Sequence, residues 1–165
     1  TNVVHNPESN MGNAVGCSPV LEMYSKGIHL GLGTDGYTSD MLESLKVGNI
    51  IHKHEKRDPS VAWLELPTML FENNRKIAEK YFQEPMGILK SGAVADIIIV
   101  NYNPLTEIDE ENYNSHLVFG VMGRDVVTTI IDGQVVMKDR RILTLDEKEV
   151  FKNSRMVSKK MWLRE

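Results

Sequence analysis

Residues 28–36 read Ile28-His29-Leu30-Gly31-Leu32-Gly33-Thr34-Asp35-Gly36. The apolar residues and glycines of 28–33 predict a buried strand that another backbone approaches closely, and Thr34-Asp35-Gly36 predicts the turn that ends it. A short apolar strand, Val3-Val4, comes earlier in the chain, and a helical pattern follows each strand. Strand–helix–strand–helix with short loops is typical of parallel α/β architecture. The sequence therefore predicts two neighbouring parallel strands.

The second half of the chain has a different periodicity. A helical pattern covers Val61–Phe82, and after it β-branched runs become frequent, as in 126–131. Asp132-Gly133 separates that run from the apolar residues 134–137, and an Asp-Gly pair in this position predicts a β-hairpin. We place the boundary between an α/β part and a β part near residues 83–88.

Two helices have recognisable starts. Thr38 or Ser39 can begin the helix that carries Met41–Ile51. Asp146, with Glu149 three residues later, predicts a capped amphipathic helix that continues through Trp162.

Composition excludes several classes of protein. The 165 residues include 41% hydrophobic and 25% charged residues, which is not the composition of a disordered chain. Nineteen Lys and Arg against 23 Asp and Glu leave a net charge of −4, which disfavours nucleic acid as a partner. No apolar run approaches the roughly 18–20 residues that span a bilayer, and the single Cys17 gives no disulfide. We expect a cytoplasmic chain that does not bind membranes.

The first residues, Thr1-Asn2-Val3-Val4-His5, contain neither an initiator Met nor a signal peptide. The apolar pair Val3-Val4 follows after only two residues, so we expect a chain that is cut within a folded domain.

Asp35 is the sharpest candidate for chemistry. An acid at the carboxyl end of a parallel strand points into the crevice where such sheets bind ligands. There it can hold a divalent metal ion or accept a proton from metal-bound water. A turn Asp that bonds nearby backbone N–H groups is an equally open interpretation.

The second candidate segment is His5-Asn6-Pro7-Glu8-Ser9-Asn10, also at a strand end. His5 can be a metal ligand, a substrate contact or a structural hydrogen-bonding group, and a lone His is more often the last. We interpret three further polar residues of this segment as groups that shape the loop: Asn6, Ser9 and Asn10.

Three other features are weaker candidates. His52-Lys53-His54 has the spacing of a metal-binding pair, but residues two apart do not share a helix face, so we interpret it as part of a solvated surface. Cys17 lacks a partner and is interpreted as a packing residue. His29 is expected to pack inside its strand.

Four motifs follow one another along the chain: His5-x-Pro7-x-Ser9-Asn10, Gly33-Thr34-Asp35-Gly36, a Gly-Ile-Leu-x-x-Gly-x-x-Ala-Asp run over 87–96, and Ile131-Asp132-Gly133. In order and spacing they resemble the amidohydrolase superfamily, in particular the branch of cytosine, guanine and S-adenosylhomocysteine deaminases and chlorohydrolases. One departure is Asp40, where many relatives have Asn.

The resemblance implies an α/β fold and a domain organisation. Residues 1–82 would be the last two βα units of a metal-bearing (β/α)8 barrel. Residues 83–145 would be the C-terminal portion of a β-sandwich domain, and 146–165 a C-terminal helix.

The resemblance also implies a site. Asp35 matches the family's metal-binding Asp and would be both ligand and catalytic proton acceptor, while His5, Ser9 and Asn10 would contact substrate. The metal would be divalent, zinc first and iron as the alternative, and unfilled in this chain because the family's other ligands lie upstream of residue 1. The expected partners are a small heterocyclic substrate and the remainder of the barrel or a companion chain, with self-association into a homo-oligomer.

The leading hypothesis is the C-terminal piece of a metal-dependent hydrolase that acts on a C–N bond of a cyclic amidine, as an aminohydrolase. Hydrolytic dechlorination uses the same attack of hydroxide on a ring carbon, with a different leaving group, and stays open as an alternative. So does a non-catalytic fragment, from a split gene or a degenerate relative. A dinucleotide-binding domain ranks last, on the Gly31-x-Gly33-x-x-Gly36 spacing alone.

Overall fold

The structure, a computed structural model, describes residues 1–163 and is of mixed α/β type. The chain divides into two compact units. The first unit comprises Thr1–Val94 and Asn101–Asp125, and the second comprises Ala95–Val100 and the chain from Val126 onward.

Two parallel strands form the sheet of the first unit. Strand β1 (Val3–His5) pairs with β2 (Leu30–Leu32), and His5 lies opposite Leu32 in the register. The backbone N–H of Gly33 donates to the carbonyl of His5 at 2.8 Å, which closes the pair at its carboxyl end. The predicted parallel neighbours are confirmed, although β2 is shorter than the predicted 28–33.

Helices pack around this pair, and their order confirms the strand–helix–strand–helix pattern. The segment predicted as helical over Val61–Phe82 is helical over a shorter range, from Glu65 to Ala78, and includes a π-helical stretch. The helices are α1 (Pro7–Gly12), α2 (Val20–Ser25), α3 (Met41–Lys56), α4 (Glu65–Pro67), the π-helix Thr68–Asn73, α5 (Asn74–Ala78), α6 (Tyr113–Ser115), the π-helix His116–Gly120 and the 3-10 turn Gly123–Asp125.

The start of α3 differs from the prediction. The capping side chain is Asp40, whose Oδ1 accepts hydrogen bonds from the backbone N–H groups of Leu42 at 3.0 Å and Glu43 at 3.2 Å. Thr38 instead accepts a hydrogen bond on its hydroxyl from the backbone N–H of Asp40. A carboxylate is as good an N-cap as a hydroxyl, so the helix begins one residue later than a Ser39 cap would set it.

The core of the first unit lies between β2 and the helices. Leu30 and Leu32 are buried together with Val20 of α2 and Leu45 of α3. Side chains alternate between the two faces of a strand, and the opposite face is open, since Val4 is 50% exposed. The parallel pair therefore has one helix-covered face, toward which His5 and Leu32 point, and an opposite face that is uncovered at Val4, although Asn74 and Ile77 of α5 lie over Gly31.

The outer edge of β2 is covered by two side-chain amides. Asn73 donates from Nδ2 to the carbonyl of Leu30 at 2.8 Å. Asn74 accepts from the backbone N–H of Leu32 at 3.0 Å and donates to its carbonyl at 2.7 Å. These amides satisfy backbone groups that a further strand would otherwise pair with.

The second unit contains one long helix, α7 (Glu147–Trp162), and a four-stranded antiparallel sheet whose strands are, in order, β3 (Ile97–Val100), β4 (Val126–Ile131), β5 (Gln134–Lys138) and β6 (Arg141–Ile142). The Asp132-Gly133 hairpin joins β4 to β5 and is confirmed. Asp146 caps the helix by accepting from the N–H groups of Lys148 and Glu149, which confirms the predicted start.

Residues 164 and 165 of the predicted C-terminal helix lie outside the described residues. Within residues 1–163, no helix combines the length and the apolar character needed to cross a membrane.

Candidate active site

Asp35 lies three residues beyond β2 in a left-handed backbone conformation, with φ of 55°. This conformation is unfavourable for residues other than glycine, although Asp and Asn tolerate it best. Its Oδ1 accepts from the backbone N–H of Gly36 at 2.8 Å, and its Oδ2 accepts from the hydroxyl of Ser9 at 2.7 Å. The carboxylate is thus held from two sides while the residue stays exposed to solvent.

Ser9 is brought to Asp35 by the short helix α1. The residue is 5% exposed, and Asn13 donates from Nδ2 to its carbonyl at 2.9 Å and to its hydroxyl oxygen at 3.3 Å. The hydroxyl therefore accepts from Asn13 and directs its own hydrogen at Asp35. Asn10 is half-buried on the same helix, and its carbonyl accepts from the N–H of Val15.

Glu8 fixes this helix against α3. It is 7% exposed, and its Oε2 accepts a hydrogen bond of 2.5 Å from the fully buried hydroxyl of Ser44. The sequence around Glu8 gives no signal for this role, because a Glu in a polar loop is usually solvated and only the tertiary packing shows its partner. The contact holds the α1 segment that carries Ser9.

The carboxylate of Asp40 is occupied by the backbone. Besides capping α3, it accepts from the N–H of Gly123 at 3.1 Å through Oδ2. The structure thus gives Asp40 a structural role, at the position where the resemblance noted a departure.

His5 lies at the same strand end but points toward α3. Its Nε2 lies 3.0 Å from Nε2 of His52, and the two rings are 3% and 1% exposed. On its other side, Nδ1 of His52 lies 3.4 Å from the sulfur of Cys17. The structure therefore groups His5 with His52 and Cys17, and it groups Ser9 with Asp35.

The interpretation of His52 as a solvated residue is wrong. His52 belongs to the buried face of α3, seven residues after Leu45 and three after Asn49, which is the spacing of one helix face. His54, two residues further on, is exposed, so the two histidines point in different directions as expected. The periodicity of α3 was the signal that could have identified His52.

Burial also sets the protonation of this cluster. Desolvation, assisted by the nearby His52, lowers the pKa of His5 to about 4. Desolvation likewise lowers the pKa of His52 and raises the pKa of the Cys17 thiol. Both imidazoles are thus neutral at pH 7, one hydrogen lies between the two Nε2 atoms, and Nδ1 of His5 is buried with no hydrogen-bond partner among the described residues.

Metal-binding capacity in this chain rests on Asp35. Across residues 1–163, no group of three or more His, Cys, Asp and Glu side chains is arranged to hold a metal ion. An exposed carboxylate is a suitable oxygen ligand, but a zinc site normally has three or more protein ligands. The described residues therefore fit a metal ion as one contributor to its coordination.

Comparison with known proteins gives the family. Residues 1–136 match the amidohydrolase family. The chain is 38% identical over 156 residues to the 5-methylthioadenosine/S-adenosylhomocysteine deaminase of Halothermothrix orenii. The aligned region covers 90% of this chain and 35% of that protein.

Two solved structures are similar in fold. The adenosine deaminase from Xanthomonas campestris with bound zinc has a TM-score of 0.84 at 21% identity, over 99% of this chain and 38% of that one. The atrazine chlorohydrolase from Arthrobacter aurescens TC1, complexed with zinc, has a TM-score of 0.71 at 18% identity, over 93% of this chain and 35% of that one. The chain spans little more than a third of the length of these proteins. From the match over residues 1–136, the chain belongs to the amidohydrolase family.

Proposed function

We propose that this chain is the C-terminal part of a metal-dependent hydrolase that acts on a non-peptide C–N bond of a cyclic amidine and deaminates a heterocycle. The observation that carries the proposal is the Ser9–Asp35 hydrogen bond, which holds a solvent-exposed carboxylate at the end of a parallel strand. Relatives named as deaminases of adenosine-type compounds support an aminated purine as the substrate class.

The proposal includes an architecture. Residues 1–82 would supply the last two βα units of a (β/α)8 barrel, 83–145 part of a β-sandwich, and 146–165 a terminal helix. The parallel β1–β2 pair and the antiparallel sheet β3-β4-β5-β6 support this assignment. The uncovered face of the parallel pair, with Val4 half exposed, is the kind of surface that a complete barrel buries.

Asp35 would be a ligand of a divalent metal ion, zinc in the first instance, and the proton acceptor. Such an ion, when bound, makes water acidic enough to supply hydroxide at neutral pH. Asp35 would accept the proton from the attacking water, and Ser9 would keep the carboxylate oriented through its hydrogen bond to Oδ2. The water oxygen would bond to the ring carbon, the proton accepted by Asp35 would pass to the amino group, and the C–N bond would break to release ammonia.

Substrate contacts would come from the segment between β1 and α1. Ser9 and Asn10 lie on α1 beside the Asp35 turn, and His5 ends β1. The ring of His5 is buried toward α3, where its Nε2 lies against Nε2 of His52, so the direct contacts of this segment would come from Ser9 and Asn10. The partners would be a small heterocycle and the rest of the barrel, supplied by the same polypeptide or by a companion chain.

The test measures activity and metal separately in a full-length protein that contains this chain, loaded with zinc. We expect ammonia release from at least one aminated purine or pyrimidine, and bound zinc that falls on the Asp35→Asn substitution. The 165-residue chain alone should retain little zinc after dialysis, since it supplies one ligand. Near-stoichiometric zinc on the isolated monomer, or no ammonia release by the full-length protein from any ring tested, would contradict the proposal.

A further inference from the structure

Asn6 occupies the cap position of α1 without acting as a cap. An Asn at this position normally accepts a hydrogen bond from a backbone N–H of the first helical turn. Here the side chain makes no capping bond. Within residues 1–163, the carboxamide of Asn6 is half-buried and has no hydrogen-bond partner. The usual structural reason for an Asn at a helix start is therefore absent.

The position of this side chain depends on Gly33. A Cβ atom on Gly33 would lie 2.5 Å from Oδ1 of Asn6 and 2.8 Å from a methyl carbon of Val4. Only glycine leaves the space in which the carboxamide lies. Asn6 consequently shares the uncovered face of the parallel pair with Val4, whereas His5 points to the helix-covered face.

The same contact places Asn6 beside the Asp35 turn. Gly33 is the residue directly after β2 and lies two residues before Asp35. The carboxamide therefore lies against the segment that leads into the exposed carboxylate. Its Oδ1 is the atom directed at Gly33, so Nδ2 is left as the donor.

Among residues 1–163, the side-chain atoms that are enclosed without a partner do not include Nδ2 of Asn6, so this donor is open to a ligand acceptor at the uncovered face. We infer that Asn6 is a substrate-contacting residue whose Nδ2 donates a hydrogen bond to a ring nitrogen of the heterocycle, and so contributes to substrate specificity. This inference rests on the proposed function and extends its site to the residue that joins β1 to α1.

The experiment compares Asn6→Ala with wild type in the full-length, zinc-loaded protein, with adenosine as the probe. We expect KM to rise about tenfold while kcat changes less than about threefold, which corresponds to the loss of one neutral hydrogen bond. Asn153→Ala, on the exposed surface of α7, is the matched control and should leave both constants unchanged.

The contact is then located on the ligand with 3-deazaadenosine and 7-deazaadenosine. For the analogue that lacks the contacted nitrogen, wild type and Asn6→Ala should differ by less than about twofold, because the substitution and the deletion remove the same interaction. Should Asn6→Ala fold poorly, Asn6→Leu keeps the size of the side chain and removes the donor.

The outcomes separate the two proposals. Equal KM values for wild type, Asn6→Ala and Asn153→Ala would overturn the role of Asn6 and leave the proposed function standing. If wild type deaminates another aminated ring instead of adenosine, the same comparison is made with that ring, and equal KM values there would overturn the role of Asn6. A wild type that released ammonia from no aminated ring would overturn both.

Discussion

The chain contains the dipeptide Asp-Gly in two settings, Asp35-Gly36 after a parallel strand and Asp132-Gly133 between two antiparallel strands. Both aspartates have left-handed backbones, with φ of 55° and 49°. At the hairpin, Gly133 is left-handed as well, with φ of 74°, whereas Gly36 is not. Two consecutive positive φ angles are the geometry of a two-residue hairpin turn, so only the second pair is a hairpin.

The two Asp-Gly pairs also differ in which of their groups form hydrogen bonds. At the hairpin it is the backbone that is engaged: the N–H of Asp132 donates to Asp96 at 2.8 Å, and the N–H of Gly133 donates to the carbonyl of Ala95 at 3.1 Å. At the parallel strand it is the side chain of Asp35 that accepts two hydrogen bonds. One dipeptide thus serves to reverse the chain, and the other to hold an acid in place.

The largest expected effect separates the two aspartates by activity. In the full-length protein, Asp35→Asn should lower kcat/KM by about 10²–10⁴, because an amide cannot accept the proton. Asp132→Asn is the matched control and should leave kcat/KM unchanged, since Asn-Gly suits the same turn. Steady-state kinetics on both variants, with circular dichroism to verify folding, is the measurement. Equal activity of the two variants would reduce Asp35 to a turn residue.

Local patterns were sufficient where one segment decides the structure. The parallel neighbours, the Asp132-Gly133 hairpin and the cap at Asp146 follow from short-range rules, and all three are present. The Ser9–Asp35 pair could not be predicted because it joins residues 26 positions apart through the placement of α1. Asp35 and Ser9 could be named as candidates, but their contact required the fold.

His52 illustrates a different limit. Its neighbours Lys53 and His54 are polar, so composition favoured a solvated surface, while the phase of α3 places His52 alone of the three among buried residues. Its partner His5 is 47 positions away. In an amphipathic helix, the spacing of residues predicts burial better than the composition of a short segment does. The burial of a polar residue such as His52 is explained only when its hydrogen-bond partner is known.

The second prediction concerns the buried imidazoles behind the exposed turn. The pKa of His5 is lowered to about 4, so between about pH 6.5 and pH 4 the unfolded chain binds a proton that the folded chain does not. Folding stability is therefore fully present above pH 6.5 and decreases as the pH falls through this window. The contribution of His5 is on the order of 2–3 kcal/mol, and His52 acts in the same direction.

Urea unfolding at pH 7.0, 5.5 and 4.5 measures this effect. His5→Gln should have a shallower pH dependence than wild type, because it removes the group that must stay neutral. His54→Gln, an exposed residue of the same helix, is the control and should keep the wild-type slope. A His5→Gln protein with an unchanged slope would show that other groups cause the acid sensitivity.

A third prediction tests the support of the Asp35 carboxylate. Ser9→Ala removes the hydrogen bond to Oδ2 but leaves the bond from Gly36 to Oδ1. We expect kcat/KM to fall by about three- to tenfold, the range for one hydrogen bond of 0.5–1.5 kcal/mol. Ser25→Ala, at an exposed Ser whose hydroxyl bonds within its own helix, should have no effect on kinetics. A Ser9→Ala enzyme with wild-type kcat/KM would show that the orientation of Asp35 does not depend on Ser9.

The smallest effect separates the two glycines by backbone strain alone. A Cβ atom would meet no neighbouring atom within 4 Å at either Gly36 or Gly133, so steric contact cannot distinguish Ala substitutions at the two positions. Gly133 has φ of 74°, and Gly133→Ala should therefore lower the free energy of unfolding by about 1 kcal/mol. Gly36→Ala should change it by less than about 0.5 kcal/mol, because Gly36 lacks a positive φ. Amide hydrogen exchange in β4 and β5 isolates the hairpin. Equal protection of these strands in the two variants would mean that Gly133 is not needed for the turn, and the two Asp-Gly pairs would then differ only in what their carboxylates bind.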